Sequence, residues 1–435
     1  MIGKHSGACT AVLLALVSVA PLRAETETLE AAWALALSND PGLTAVAAEL
    51  DAARARERAA RGAHWPTLAV GAAVMQWADA PAFEFATPGM SFRSPPIFAD
   101  NRFSSRQAEL QLPLYAGGSI SAGAAAARAA REAAEAEYER AVADLKLEVA
   151  ERYVAVLRTR AALTAAVAQV QALTAHASDV AVMHERGAVN RSDLLASRVA
   201  LANAEQQRLR ALGAVAQARA AYNRRLGQPL EREPQIADAI GMPIAAPQGS
   251  LADLQSQALA QRAELRALSA QAQSLARQAR AESGRSLPQI GLTAQLMRLE
   301  TAVLDRENFS TVGLAVNWRL ADGGQTRQRA AALSHASRAV EARRRDMQAA
   351  IRLEVEQAVL ALDEAQARVA ASREAGAQAE ENLRMSREQY GAELITNTQV
   401  LEAAALRAQA VANARDAELD AELARLRLLH ALGAL

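Results

Sequence analysis

The sequence predicts a mainly α-helical protein with a small antiparallel β part, built from two similar units. Each unit consists of two strands followed by a long helical hairpin. Three observations predict this architecture: one order of motifs occurs twice, two long stretches lack proline, and apolar residues in those stretches recur every seven positions. The duplication has to be recognised first, because it determines how every other feature is interpreted.

The duplicated motifs have constant spacing. The segment Leu114–Gly118 (LYAGG) is followed 206 residues later by Leu320–Gly324 (LADGG). Upstream, Trp65-Pro66 corresponds to Leu287-Pro288 at an offset of 222, so 16 additional residues lie in one loop of the first unit. The expected turns from strand to helix are Gly117, Gly118, Gly323 and Gly324.

The first 24 residues have the organisation of a secretory signal. Lys4 gives a basic start, residues 11–20 form an apolar run too short to span a bilayer, and cleavage is expected after Ala24. A buried N-terminal helix is the alternative. Cys9, the only cysteine, lies in this segment, so the mature chain would have no disulfide and no cysteine metal site.

The long helices are predicted from the distribution of proline. Proline inside a helix costs ~3 kcal/mol or more, and residues 114–228 and 289–435 contain none. We therefore predict helical hairpins over residues 119–226 and 324–432. Apolar residues at seven-residue spacing indicate that these helices wind around neighbours as a coiled coil. In the first stretch they are Val142, Val149, Val156, Leu163 and Val170.

Each hairpin needs a break where the chain reverses. In the first hairpin, residues 187–191 form the break and Ser192 is the expected N-cap of the return helix. In the second, residues 391–397 form the break and Thr398 is the matching cap. A first helix running from about residue 119 to 185 would be ~100 Å long, which suits a tube or a spacer better than a globule.

Two segments with a period-two apolar pattern precede each helical hairpin. Residues 66–115 and 288–320 are therefore predicted to form β-hairpins whose strands separate two unlike environments. A half-buried soluble sheet and an outer-membrane barrel, apolar outside and polar inside, both fit this pattern. Trp65, Trp77 and Trp318 lie at or near strand ends, where aromatic residues settle at a membrane interface, and they favour the barrel.

Four strands are too few for a membrane barrel, which needs about eight. An open edge is not tolerated in lipid, because each unpaired backbone group costs several kcal/mol. A barrel would therefore be shared between chains. Two copies would give about eight strands, barely wide enough for side chains, and three copies would give about twelve.

The two units differ mainly in their hairpin loops. The loop at residues 79–102 contains four of the six phenylalanines, and a surface loop and a lid over the outer mouth both fit it. The linker at residues 227–250 carries four prolines and is expected outside the helical bundle. The first unit is thus residues 25–226 and the second is residues 251–435, and each begins with a helix.

The chain lacks the patterns of an enzyme or a nucleic-acid-binding protein. Its formal net charge is zero, which leaves no basic patch to attract nucleic acid. Neither lysine, Lys4 nor Lys146, lies in a phosphate-binding loop. His176 and His184 lack metal-ligand spacing and are expected on a helix surface. We expect no enzymatic activity, no bound metal and no cofactor.

The strand ending in LYAGG, the long helix and the glycine-containing break before Ser192-Asp193-Leu194-Leu195 resemble the TolC-type outer membrane efflux proteins. The same order then repeats as far as Tyr390-Gly391 and Gln399–Glu402, so the resemblance spans about residues 26–435. It implies a homotrimer with a twelve-stranded β-barrel in the outer membrane and a twelve-helix coiled-coil tunnel across the periplasm. Such proteins are exit ducts of tripartite efflux pumps and type I secretion systems. They meet a periplasmic adaptor and, through it, an inner-membrane pump.

The resemblance also implies a gate at the periplasmic tip, where the family has a tyrosine and two acidic residues one helical turn apart. Tyr390 falls at the tyrosine position and Glu402 at the second acidic position. Gln399 replaces the first acidic residue, and Ile395 lies where the best-known pattern has arginine. Asp193 is the first-unit equivalent of Gln399. One acidic ring is therefore implied, although a solvated carboxylate on a helix face is the alternative for Glu402.

A periplasmic coiled-coil adaptor or spacer is the main alternative function. An adaptor carries one helical hairpin and a lipoyl-like β domain, whereas this sequence predicts two hairpins and no such domain. A soluble hydrolase lacks any supporting residue pattern. The sequence indicates neither the transported substrate nor the particular pump.

Overall fold

The computed structural model describes residues 26–79, 82–95, 102–237, 249–300 and 306–435, except the side chains of residues 102, 103 and 300. The predicted signal at residues 1–24 lies outside the described residues, as does the middle of the linker. The described chain is mainly helical with a small antiparallel sheet. This confirms the predicted fold class of the single chain.

The helices form two matching sets of four. In chain order they are α1 (Leu29–Asn39), α2 (Pro41–Gly62), α3 (Ser119–Glu185), α4 (Arg191–Arg225), α5 (Leu251–Gln261), α6 (Ala263–Gly284), α7 (Gln325–Gly391) and α8 (Asn397–Ala431). The helices of each set have 11, 22, 67 and 35 residues in the same order. Equal lengths throughout confirm that the chain is duplicated.

The first return helix, α4, begins earlier than predicted. Asn190, not Ser192, is its N-cap, and the Asn190 side chain accepts a hydrogen bond from the backbone N–H of Asp193 at 2.9 Å. Asn190 is extended, with φ −81° and ψ 169°, whereas Ser192 already lies within the helix. Both residue types are good caps, so the backbone conformation, not the residue preference, decides between them.

The second break differs from the prediction in the same way. Thr396, not Thr398, caps α8, and Gln399 completes a capping box by accepting a hydrogen bond from the backbone N–H of Thr396 at 2.9 Å. Gly391 is the last residue of α7. The residue with left-handed backbone is Glu393, with φ 60°. The glycine was the more obvious candidate for this conformation, but it lies two residues before the left-handed position.

The helix predicted before each β-hairpin is two helices. In the first unit, Asp40 separates α1 from α2 and caps α2 by accepting a hydrogen bond from the backbone N–H of Leu43 at 2.8 Å. Pro41 is the first residue of α2, a position that proline favours. In the second unit, Arg262 occupies the equivalent break. The Asp-Pro pair is a signal for the start of a helix, and the sequence analysis missed it.

The main sheet has four antiparallel strands in the order β1-β4-β5-β6. A separate two-stranded hairpin, β2-β3, lies in the first loop, where the sequence analysis predicted no regular structure. The strands are β1 (Thr67–Gln76), β2 (Glu84–Thr87), β3 (Met90–Arg93), β4 (Arg102–Tyr115), β5 (Gln289–Glu300) and β6 (Asn308–Asn317).

The helical part packs around two main apolar cores, each at the middle of a long helix. Val149 and Tyr153 of α3 lie in the first core, and Ile351 and Val355 of α7 lie in the second, all fully buried. Val149 and Val355 are equivalent by the 206-residue offset, so the seven-residue pattern marks the buried side of both helices. None of the described helices combines the length and the apolar character needed to cross a membrane.

Candidate functional site: the sheet faces and the helical tip

One face of the main sheet is apolar and the other is largely polar, because side chains in register alternate between faces. Val70 and Val312 on the apolar face are 80% and 73% exposed, so no described part of the chain covers them. One apolar row across the four strands is Leu68, Leu110, Ala294 and Val312. The rows on either side of it, on the opposite face, are Thr67, Gln111, Thr293 and Gly313, and Ala69, Glu109, Gln295 and Thr311.

The sheet ends in two open edges. β4 and β5 each pair on both sides, whereas β1 pairs only with β4 and β6 pairs only with β5. Within the described residues, the outer edges of β1 and β6 pair with no strand. Exposed edges of this length are normally covered or paired, because their free N–H and C=O groups recruit other strands.

The predicted strand-to-helix turns have the backbone conformation that favours glycine. Gly117 and Gly118 have φ angles of 61° and 77°, and Gly323 and Gly324 have φ angles of 64° and 82°. The two corners differ in packing. A Cβ on Gly117 would lie 2.1 Å from the carbonyl oxygen of Gly284, whereas no atom lies within 4 Å of a Cβ placed on Gly323.

The three predicted interface tryptophans lie at strand ends and are exposed. Trp65 and Trp318 flank β1 and β6 at the end of the sheet from which the long helices leave, and they are 73% and 55% exposed. Trp77 follows β1 at the opposite end. The β2-β3 hairpin also lies beyond that end, with Phe85 and Phe92 exposed and directly paired.

Tyr390 lies near the far end of the helices, at the tip of the α7–α8 hairpin. Its ring is buried against Val180 and Val400 and lies 5.6 Å from the ring of His176. Its hydroxyl has no hydrogen-bond partner within the described part of the chain. Burial and, to a smaller extent, the negative charge of Asp193 raise the pKa of Tyr390.

The other gate candidates lie around the same tip. Gln399 is exposed and its side chain is used in the capping box of α8. Glu402 is exposed, and it forms no hydrogen bond or ion pair with any described residue. Ile395 packs against the buried cluster around Tyr390. The structure thus brings Tyr390 and Asp193 into one neighbourhood, while Gln399 and Glu402 face away from the packed interior.

A polar bridge at the tip was missed by the sequence analysis. The Nε2 atom of His176 lies 2.7 Å from Oδ1 of Asn397, and the Nδ2 group of Asn397 donates to the backbone carbonyl of Asp193 at 3.1 Å. The amide orientation makes Nε2 of His176 the donor. The predicted surface placement is therefore wrong for His176, which is 9% exposed. A cavity of about 550 Å³ adjoins this bridge, between α3 and α7.

The sequence matches the family described as outer membrane efflux protein over residues 33–228 and 254–434. A search of curated protein sequences gives no significant match. The fold is similar to that of CusC, with a TM-score of 0.81 and 16% identity over 94% of this chain and 92% of that chain. VceC from Vibrio cholerae gives a TM-score of 0.78 and 19% identity over 93% and 96% of the two chains. The Neisseria gonorrhoeae channel MtrE, in its open state, gives 0.74 and 17% over 94% and 89%.

The solved structures share the fold at low sequence identity, and the family match covers both duplicated units. Together they confirm the resemblance found in the sequence. Members of the family are channels of the outer membrane, not enzymes. The chain belongs to the outer membrane efflux protein family.

Proposed function

We propose that three copies of this chain form an exit duct that takes substrates from a periplasmic adaptor and an inner-membrane pump across the outer membrane. The observation that carries the proposal is a difference between equivalent helix faces. Within one chain, α6 lies between α3 and α7, and we call the α3–α6 contact the inner seam. The faces of α2 and α7 that point away from the rest of the chain are the outer edges.

Alanines buried at the inner seam have exposed equivalents at one outer edge. Ala267 and Ala270 of α6 are 4% and 8% exposed. Their equivalents in α2, at an offset of 222, are Ala45 and Ala48, and both are exposed. Small side chains allow helices to approach closely, so α2 carries a packing face with nothing packed on it.

The second outer edge, on α7, is likewise exposed where its inner-seam equivalent is buried. Ala126 and Ala129 of α3 are 3% and 5% exposed, whereas their equivalents in α7, Ala332 and His335, are exposed. Packing α7 of one chain on α2 of the next would repeat the inner seam between chains. The same packing arrangement would place β6 of one chain beside β1 of its neighbour.

Repetition of this contact around a threefold axis would close the ring. Three four-stranded sheets would form a twelve-stranded barrel without open edges, as lipid requires. The apolar rows would face lipid and the polar rows would line a wet channel, with Trp65, Trp77 and Trp318 at the two interfaces. The long helices would extend the channel into the periplasm as a tunnel. Transport through it would be passive, with energy supplied by the pump.

At the tip of this tunnel we assign the gate to Tyr390, Asp193 and the α8 residues Gln399 and Glu402. Three copies of Glu402 around a narrow lumen would repel one another and attract cations. The buried bridge from His176 to Asn397 would hold the two hairpins of one chain together, so opening would separate neighbouring chains more readily than it splits one.

The test is to purify the full chain in detergent, measure its oligomeric state by light scattering, and record its conductance in planar bilayers. We expect a trimer with a passive, ion-conducting pore that multivalent cations block from the tip side. Glu402→Ala should weaken that block about tenfold, because the ring of carboxylates is lost. Glu205→Ala removes an exposed carboxylate from α4 and is the matched control.

The outcomes separate the parts of the proposal. A monomer that stays dissolved without detergent would contradict the duct and favour a periplasmic adaptor or spacer. A conducting trimer with equal block in both variants would leave the duct intact and remove Glu402 from the gate. A conducting trimer in which only Glu402→Ala changes the block supports both assignments.

A further inference from the structure

A basic row interrupts the apolar face of the sheet near one end. Arg106 of β4 and Arg298 of β5 lie directly opposite each other, on the same face as the apolar rows. Ala72 of β1 and Asn308 of β6 complete the row. Both arginines are exposed. Two guanidinium groups therefore lie side by side on this face, next to the aliphatic row of Val70, Ala108 and Leu296.

Two like charges directly opposite on neighbouring strands destabilise a sheet. Glu307 relieves part of this repulsion through an ion pair with Arg298 at 3.0 Å. Arg106 has no carboxylate within ion-pair distance among the described residues. Among the described side chains, this row thus has two guanidinium groups and one carboxylate partner, an arrangement suited to an external anion.

The same place is concave. A cavity of about 440 Å³ on the sheet is lined by both arginines and by the aliphatic side chains of Val70, Ala108 and Leu296. Guanidinium groups at one side and aliphatic groups at the other match a molecule that joins a phosphate to an acyl chain. A free phosphate ion would use the arginines and leave the aliphatic part of the depression unfilled.

The position along the strands identifies the leaflet. The long helices leave the sheet after Tyr115 and Asn317, and the arginine row lies toward the opposite end. From Leu114 to Arg106 is eight residues, or ~27 Å along a strand and ~20 Å along the membrane normal at the usual tilt. This is close to the ~25 Å height of the apolar band of such barrels. With the helices in the periplasm, the row lies at the outer leaflet.

We propose that Arg106 and Arg298 bind a phosphate of lipid A, the phosphorylated glycolipid of the outer leaflet, while its acyl chain lies against Val70, Ala108 and Leu296. The proposal rests on the outer-membrane barrel proposed above. Each trimer would carry three such sites on its lipid-facing surface. Binding would fix the depth of the barrel in the membrane. The bound lipid would fill the cavity beside the two arginines.

Native mass spectrometry of the detergent-released trimer tests the site. The probes are bisphosphorylated lipid A, the same lipid after enzymatic removal of its phosphates, phosphatidylglycerol and inorganic phosphate. We expect the wild-type trimer to bind bisphosphorylated lipid A most tightly, and the double variant Arg106→Gln/Arg298→Gln to bind it about tenfold more weakly. The variant should bind the dephosphorylated lipid as the wild type does.

The matched control removes equal charge elsewhere. Arg198→Gln/Arg210→Gln changes two exposed arginines of α4 and should leave lipid A binding unchanged. A conducting wild-type trimer whose lipid A affinity is the same in all three proteins would overturn the site and leave the duct standing. Equal binding of phosphatidylglycerol or of inorganic phosphate would overturn the assignment to lipid A. A chain that forms no trimer would overturn the barrel, and this site with it.

Discussion

The two units have the same helix lengths, but their corners meet different surroundings. At the inner seam, a Cβ on Gly284 would lie 2.6 Å from the carbonyl oxygen of Gly117. The equivalent glycines at the outer edges, Gly62 and Gly323, have no atom within 4 Å of such a Cβ. Residue 62 is thus a glycine although, within a single chain, a larger side chain would have room there. This difference supports the proposal that neighbouring chains complete the outer edges as seams.

The largest expected effect comes from Gly62→Val. Within one chain the new side chain has open space, and replacing a helical glycine removes up to ~1 kcal/mol of unfavourable helix propensity. If the outer edges repeat the inner seam, valine would instead collide with the neighbour's strand-to-helix corner. Overpacking costs about 1–3 kcal/mol at each contact, and a trimer has three. Light scattering in detergent should show monomers in place of trimers.

Gly213→Val is the matched control for this prediction. Gly213 lies within α4, and a Cβ there also has no atom within 4 Å. The helix propensity changes in the same direction, but the position is not part of either seam. The control should remain trimeric. Equal trimer fractions for the two variants would contradict the equivalence of the inner seam and the outer edges.

The sequence predicted the duplicated fold because the signals are local. Missing proline and seven-residue spacing located α3 and α7, and paired glycines located the corners at Gly117 and Gly323. Local signals were less useful where neighbouring residues compete, so the caps Asn190 and Thr396 were both placed two residues late. The α1–α2 break at Asp40 was missed, although an Asp-Pro pair marks it. No local sequence signal distinguishes an exposed alanine at an outer edge from a buried alanine at the inner seam.

The tip was less predictable than the fold. Tyr390 was identified only through the family resemblance, and its burial follows from packing between two hairpins. The hydrogen bond between His176 and Asn397 joins residues 221 apart in sequence. No periodicity or spacing brings such residues together, which is why His176 was expected on the surface. The arginine row of the sheet was invisible for a similar reason, because the β4–β5 register joins the two units.

The next-largest expected effect is on stability, and it concerns a contact of His430 that has no equivalent in the first unit. His430 of α8 occupies the position of Arg224 in the first unit. Its Nε2 atom lies 2.8 Å from Oδ1 of Asp144, whereas its Nδ1 atom lies 3.8 Å from Glu354, too far for a hydrogen bond. Burial, the largest single effect, lowers the pKa of His430, but the carboxylates of Asp144 and Glu354 together outweigh it and the pKa rises to about 9. The folded state therefore favours the protonated imidazole.

A raised pKa fixes the sign of the pH dependence. The stabilisation by His430 should be complete below pH 6.5, its ordinary pKa, and should be lost as the pH rises through about 9. We expect His430→Gln to lower the free energy of unfolding by about 1–2 kcal/mol at pH 6 and by much less above pH 9. Thermal circular dichroism of the trimer at both pH values measures this. A deficit in His430→Gln that stays constant between the two pH values would contradict the assignment.

The smallest effect compares the two turns at the tip. Gly187 has φ 77° and its equivalent Glu393 has φ 60°. In both turns the next residue donates a backbone hydrogen bond of 2.9 Å across the helix end, from Ala188 to Met183 and from Leu394 to Gln389. The backbone geometry is thus the same, but the second turn holds a glutamate in a conformation that favours glycine. A non-glycine residue there costs ~1–2 kcal/mol.

The reciprocal pair Glu393→Gly and Gly187→Glu tests this difference at the proposed gate. Glu393→Gly should slow hydrogen exchange at the second turn by an amount equivalent to ~0.5–1 kcal/mol, because the gain from relieved strain exceeds the larger chain entropy that glycine loses on folding. Gly187→Glu should speed exchange at the first turn by a similar amount. Faster exchange in Glu393→Gly would mean that the glutamate makes a contact with a neighbouring chain that stabilises the closed tip. The two turns would then differ in function as well as in residue type.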